Sequence, residues 1–240
     1  MKSNLDQFLG AYGEDFAYAF DNAIVLNWYP QRLVQAHPAN SRVLELGIGH
    51  GFTCERFSLH FDHYEVVDGS PAMISQFRKS YPSSCALVHE GYFETFEPEG
   101  LFDLIVMGFV LEHVDDPELI LKRFLRFLGP GGKIAVAVPN AESLHRRLGH
   151  AAGLLPDMMA LGDGDLALGH LRTYTVATLD QLLTDCGYCV TRREGIFLKP
   201  FTTGQLSSLD LGPDVLNAMC EVGLGYPELS AALLFEATAT

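Results

Sequence analysis

Three glycines fall in five positions, Gly47-Ile48-Gly49-His50-Gly51, between two runs of opposite character. Arg42 to Leu46 (RVLEL) reads as a short buried strand, and Thr53 to Leu59 as a helix. A strand that turns sharply into a helix on bare backbone belongs to doubly wound α/β sheets. There a ligand lies over the carboxyl ends of the strands, where the strand order reverses. Glycine suits the turn because a Cβ would fill the ligand's place or forbid the backbone angles. Asp68 closes the next strand, about 20 residues on, where a carboxylate can hold ribose hydroxyls.

The rest of the chain alternates in the same rhythm. His63 to Val67 reads as a second strand, and Pro71 to Ser80 as a helix with Ser70 as its N-cap. Ala86 to His89 reads as a third strand and Phe102 to Met107 as a fourth, its apolar run covered on both faces. Pro117 to Leu128 reads as a helix capped by Asp116, with Leu119, Ile120, Phe124, Phe127 and Leu128 as its apolar stripe. Gly129-Pro130-Gly131-Gly132 stops it, and Lys133 to Val138 is the fifth strand. Later come a helix around Glu142 to Gly149, a mobile segment through Gly169, a helix from Thr178 to Cys186 and a strand from Tyr188 to Glu194. Ala231 to Ala239 is a last strand, expected antiparallel at the sheet edge. The fold class is therefore α/β, doubly wound, with a mostly parallel seven-stranded sheet and helical cap elements. A single domain over 1–240 divides into an N-terminal helical cap (1–40), a ligand-binding core (41–139) and two lid or acceptor-site insertions (140–170 and 195–230).

The net charge of −14 repels polyphosphate and argues against a nucleic-acid partner, the basic pairs being scattered. Five cysteines, an odd number, imply no disulfide framework and fit a reducing cytoplasm. Cys186 and Cys189 have redox spacing but read as free thiols of the core. No apolar run reaches membrane-spanning length, and the first residues carry no signal-peptide pattern. Gly162-Asp163-Gly164-Asp165 lacks the ligand pattern of a calcium loop, and no metal is expected. The glycine spacing is G-x-G-x-G, with Phe52 where a dinucleotide turn has its third glycine, and Glu45 just upstream would face a diphosphate badly. A ligand without phosphate and with a cationic amino end suits the turn better.

From Arg42 to about Glu194 the chain resembles the class I S-adenosylmethionine (SAM)-dependent methyltransferases, particularly their small-molecule branch. The resemblance is carried, in order, by the glycine turn, Phe102 to Met107, Leu111-Glu112-His113-Val114-Asp115-Asp116, Leu128 to Lys133, and His170-Leu171-Arg172-Thr173-Tyr174-Thr175. It implies SAM as cofactor and S-adenosylhomocysteine (SAH) as product. Glu45, Gly47, Gly49 and Gly51 would surround the methionine part. Asp68 would take the ribose, Gly69 and Ser70 would lie along the adenosine, and Met73 would pack on adenine. Where many members have an acid for the adenine amino group this chain has Tyr92. Adenine would then rest on the backbone of Tyr92 and Phe93, and Phe109 would face the sulfonium.

The implied reaction is methyl transfer to an oxygen or nitrogen of a small molecule. A hydroxyl acceptor calls for a base, and the candidates are His113, His170 and Tyr174. Arg172 would bind an acceptor carboxylate or pair with a surface acid. The acceptor would be selected by the less regular parts: Tyr12, Tyr18, Trp28 and Tyr29 before the sheet, and Leu154, Leu155, Met158 and Met159 in an apolar lid. A homodimer is left open. Two other readings share the architecture: an NAD-dependent oxidoreductase, against which the turn spacing and Glu45 speak, and a non-catalytic SAM-binding protein.

Overall fold

The computed structural model describes residues 19–240 of the chain. Seven strands, β1 (Arg42–Leu46), β2 (His63–Asp68), β3 (Leu87–Glu90), β4 (Phe102–Gly108), β5 (Leu128–Pro139), β6 (Tyr188–Ile196) and β7 (Ala232–Ala239), form one sheet in the order β3-β2-β1-β4-β5-β7-β6. β1 pairs in parallel with both β2 and β4, so the order reverses between β1 and β4 and opens a crevice at their carboxyl ends. β7 is antiparallel to both neighbours. The antiparallel strand expected at the edge thus lies at that end of the sheet, and β6 closes the sheet outside it.

Around the sheet lie α1 (Ala19–Ala36), α2 (Phe52–His60), α3 (Pro71–Ser80), α4 (Pro117–Leu125), α5 (Leu144–Ala151), α6 (Asp163–Leu168), α7 (Val176–Asp185), α8 (Thr203–Ser207) and α9 (Pro213–Gly223). The strand period of two divides the core. Val43, Leu104 and Val106 pack with Leu33 of α1, Phe57 of α2 and Phe77 of α3 on one face. Leu44, Ile105 and Met107 pack with Phe124 of α4 and Leu183 of α7 on the other. Tyr12 and Tyr18, with the rest of 1–18, lie outside the described residues.

Ser70 and Asp116 cap as their sequence positions require. Ser70 Oγ accepts from Met73 N at 3.1 Å and Asp116 Oδ1 from Leu119 N at 3.0 Å, each before a proline at the first turn. α4 ends earlier than its apolar stripe suggests. Leu121 is buried in place of exposed Leu119, and Leu128 already pairs with Phe102 in β5. The pairing then skips to Lys133, so the glycine run is a bulge inside the strand. Gly132 permits it, because a Cβ there would stand 2.6 Å from the Phe102 carbonyl oxygen. Of the two thiols expected in the core, Cys186 is buried but Cys189 is exposed, since alternation along β6 turns it outward. The segment read as mobile through Gly169 contains α6, and the irregular stretch after Gly195 contains α8 and α9.

Candidate active site

The glycine turn sits over the carboxyl end of β1. Gly47, Gly49 and Gly51 have φ of 83°, 52° and 80°, angles that side chains resist. They serve different ends. Nothing lies within 4 Å of where a Gly49 Cβ would stand, and that space belongs to the crevice. A Gly51 Cβ would stand 2.8 Å from the Tyr81 ring, so Gly51 packs the turn against the end of α3 and does not line the cavity. Asp68 is nearly buried, and both its oxygens are held by backbone. Oδ2 accepts from Ile48 N and Oδ1 from Ser70 N, each at 2.8 Å. The turn after β1 and the turn after β2 thereby fix one carboxylate between them. Glu45, one residue before the end of β1, is buried, accepts from the Tyr64 hydroxyl and lies 3.5 Å from Cys54 Sγ. Burial raises its pKa to about 7.

These groups open on a cavity of about 580 Å³ bounded by the ends of β1, β2 and β4, by α1 and by the 140–170 segment. Glu45, Gly47, Gly49, Asp68, Gly69, Ser70 and Met73 line it, as do Tyr92, Phe93 and Phe109. Glu94, beside the position where an adenine-binding acid was sought, lines it too. Phe109 carries φ 58°, strained for a side chain of this size. Its N–H donates to the Ala137 carbonyl at 2.8 Å and its ring meets Tyr29 edge-on, with centroids 5.8 Å apart.

Of the three candidate bases, His113 and His170 come together on the cavity wall, their rings in T-shaped contact at 4.7 Å. Tyr174 does not join them. It is buried, and its hydroxyl donates to the Leu111 carbonyl at 3.1 Å, which makes it a strut beneath the loop. Arg172 takes neither role expected of it. Its guanidinium donates to the carbonyls of Leu111, Val114 and Asp115, clasping the loop that carries His113. The apolar lid residues also miss: Leu154 and Met159 are exposed, and neither they nor Leu155 and Met158 reach the cavity. That wall is made by Gly162, Gly164, Asp165 and Leu168. Tyr29 lines the cavity from α1, whereas Trp28 packs in the core.

Sequence reasoning assigned no role to several residues that the fold brings here. Glu112 has no solvent exposure, and neither of its carboxylate oxygens has a hydrogen-bond partner among the described residues. Burial lifts its pKa to about 7. One side-chain donor atom from each of Glu112, His113 and His170 lies within 4.8 Å of the others. Asp165 Oδ1 stands 3.1 Å from His170 Nδ1, and burial first, then His170, lowers the His113 pKa to about 4. Arg146 donates to the carbonyls of Met158 at 2.7 Å and Ala160 at 2.6 Å, tying that strip of chain to α5. The one available signal was Glu112's place beside His113 in the motif; Asp165 and Arg146 are joined to the site only by the fold.

Strand order, glycine turn and the β2 carboxylate together define a Rossmann-like α/β domain of the methyltransferase type. The chain belongs to the class I SAM-dependent methyltransferase family: the profile described as "Methyltransferase domain" matches residues 25–192. It is 33% identical over 128 residues to the trans-aconitate 2-methyltransferase of Methylobacterium radiotolerans, covering 52% of this chain and 48% of that protein. It is 28% identical over 123 residues to a ubiquinone biosynthesis O-methyltransferase of Xanthomonas axonopodis pv. citri, covering 50% of each. The matches thus span about half the length of these curated relatives. The fold is similar to that of the N-methyltransferase NodS of Bradyrhizobium japonicum, solved with SAH (TM-score 0.62, 15% identity, 98% of this chain and 97% of that one). It is also similar to that of magnesium protoporphyrin IX methyltransferase of Synechocystis, solved with SAH (TM-score 0.63, 12% identity, 100% and 95%).

Proposed function

We propose that this chain transfers a methyl group from SAM to an oxygen of a small molecule held in the cavity beside Glu112, His113 and His170. The observation that carries the reading is Asp68, whose carboxylate is clamped by two backbone N–H groups next to a turn with open space at Gly49. That carboxylate suits a pair of ribose hydroxyls, and the neighbouring glycines leave backbone room for an amino-acid end. Met73, Tyr92 and Phe93 offer apolar surface for a purine on the same wall. When bound, SAM supplies an activated methyl on a positively charged sulfur.

The protein's own task is then to orient the acceptor and keep water away. The 140–170 segment roofs the cavity, and Phe109 and Tyr29 give it an aromatic side on which a cation is favoured. Oxygen is preferred to nitrogen as the attacked atom because one group of relatives is named for a polycarboxylate and another for O-methylation. A small acceptor fits the bounded cavity, and the net charge of −14 argues against nucleic acid. No helix among the described residues is long and apolar enough to cross a membrane. Free cysteines suit the cytoplasmic setting proposed for the protein.

Calorimetry with SAM and SAH, followed by SAH release against a panel of hydroxy- and polycarboxylic acids and phenols, tests the reading. Binding of both nucleosides with turnover of at least one oxygen acceptor is expected. Absence of heat with either nucleoside overturns it, and binding without turnover of any acceptor leaves a SAM-binding protein that is not an enzyme.

A further inference from the structure

We infer that Glu112, His113 and His170 form a binding site for one divalent transition-metal ion on the cavity wall, with Asp165 orienting His170. Three side chains from two separate segments converge there, their donor atoms no more than 4.8 Å apart. Ligands about 2.1 Å from a tetrahedral ion stand about 3.4 Å from one another. The site requires side-chain rotation to close the remaining gap.

The strongest sign is the carboxylate. Glu112 is wholly buried, and neither oxygen has a hydrogen-bond partner among the described residues. A buried acid in that condition is costly unless something pairs with it, and a cation shared with two imidazoles would do so. The supporting groups are also in place. Asp165 Oδ1 lies 3.1 Å from His170 Nδ1, the carboxylate contact that fixes an imidazole's tautomer and leaves its Nε2 to ligate. Arg172 holds the carbonyls of Leu111, Val114 and Asp115, so Glu112 and His113 stand on a fixed loop. Two imidazoles and one carboxylate favour zinc, manganese, iron(II) or cobalt over magnesium or calcium. All three ligands line the cavity, so the ion's open positions face it and one can take an acceptor oxygen. That last role rests on the proposed function, whereas ion binding does not. The sequence carried no metal motif because the third ligand stands far along the chain from the first two.

Cobalt(II) titration of chelator-stripped protein, read by visible ligand-field absorption and competed with zinc, tests the site. SAM calorimetry on each sample checks the fold independently. A single saturable equivalent is expected, abolished in Glu112→Gln and in His170→Ala. In Asp165→Asn it should be weakened about 10–100-fold, as for loss of a group that orients a ligand. No saturable spectrum in protein that still binds SAM overturns the site, as does equal affinity in wild type and all three variants. If a ligand variant fails to fold, Asp165→Asn and His113→Ala carry the same comparison. Cobalt binding that is intact and lost in the variants, in a chain that gives no heat with SAM, supports the site and sinks the methyl-transfer reading instead.

Discussion

Asp68 joins two turns through one side chain, and under the proposed function it also holds the ribose of SAM. Its two oxygens bridge the turns after β1 and β2 through Ile48 N and Ser70 N, and its edge faces the cavity. Asp68→Ala should weaken SAM binding by about 1–3 kcal/mol, the range for hydrogen bonds to a charged group. Calorimetry checks this, and unchanged affinity in folded protein removes the ribose role. The neighbouring glycines should separate binding from stability. Gly51→Ala meets both a left-handed φ of 80° and the Tyr81 ring at 2.8 Å, so urea unfolding should show a loss above the ~1–2 kcal/mol of the backbone angle alone. Gly49→Ala, with open space around its Cβ, should lose less stability and more SAM affinity. The turn and the place of Asp68 were legible because a strand that bends into a helix on bare backbone leaves a local pattern of glycines, with the end of the next strand at a fixed distance. Glu112 stood beside a named candidate and stayed unread, since nothing local distinguishes an acid at a helix entry from one aimed into a cavity.

Among the elements, the strands and caps of the first half were readable because their signals are short-range: a continuous apolar run, a capping side chain, a proline in the first turn. Boundaries slipped where two signals overlapped, as at Leu128, which continues the apolar stripe of α4 yet pairs in β5. The 140–170 segment was the least legible, because its order comes from hydrogen bonds between distant residues. Arg146 supplies several of them, to Met158 O and Ala160 O. Arg146→Ala should therefore speed limited proteolysis between α5 and α6 and raise KM for the acceptor, with SAM affinity held. Timed digestion with mass-spectrometric mapping reads the first effect. An unchanged cleavage rate would show that the segment is held without Arg146.

At the scale of the whole molecule, buried acids bend the dependence of stability on pH in opposite senses. Glu45 has a folded pKa raised to about 7 from an ordinary 4.5, so the folded state holds its proton where the unfolded chain has lost it. Its effect is to lower stability as pH rises from about 4.5 to 7, on the order of 3 kcal/mol in all. Glu236 behaves conversely. Hydrogen bonding from His37 and the charge of Arg192, with Lys133 alongside, more than offset burial and hold it at about 2. The stability it adds is complete above its ordinary 4.5 and drains away as pH falls through 2. Glu112, also raised to about 7, adds a loss over the same window, whereas His113 and His145, lowered to about 4 and about 3, take stability away as pH falls from their ordinary 6.5. Glu45→Gln should therefore remove part of the upper limb of the thermal melts across pH while leaving the acid limb intact. Coincident profiles for wild type and Glu45→Gln would deny Glu45 this part.

β7 carries a consequence for the chain as it leaves the ribosome. Residues 232–239 wedge between β5 and β6, both synthesised earlier, and supply the hydrogen-bonding partner of each. Until β7 emerges, β5 holds an open edge beside a completed β4, and β6 has no place in the sheet. The nascent protein therefore presents a sticky ladder to its surroundings during the stretch of synthesis when the parallel half can already form.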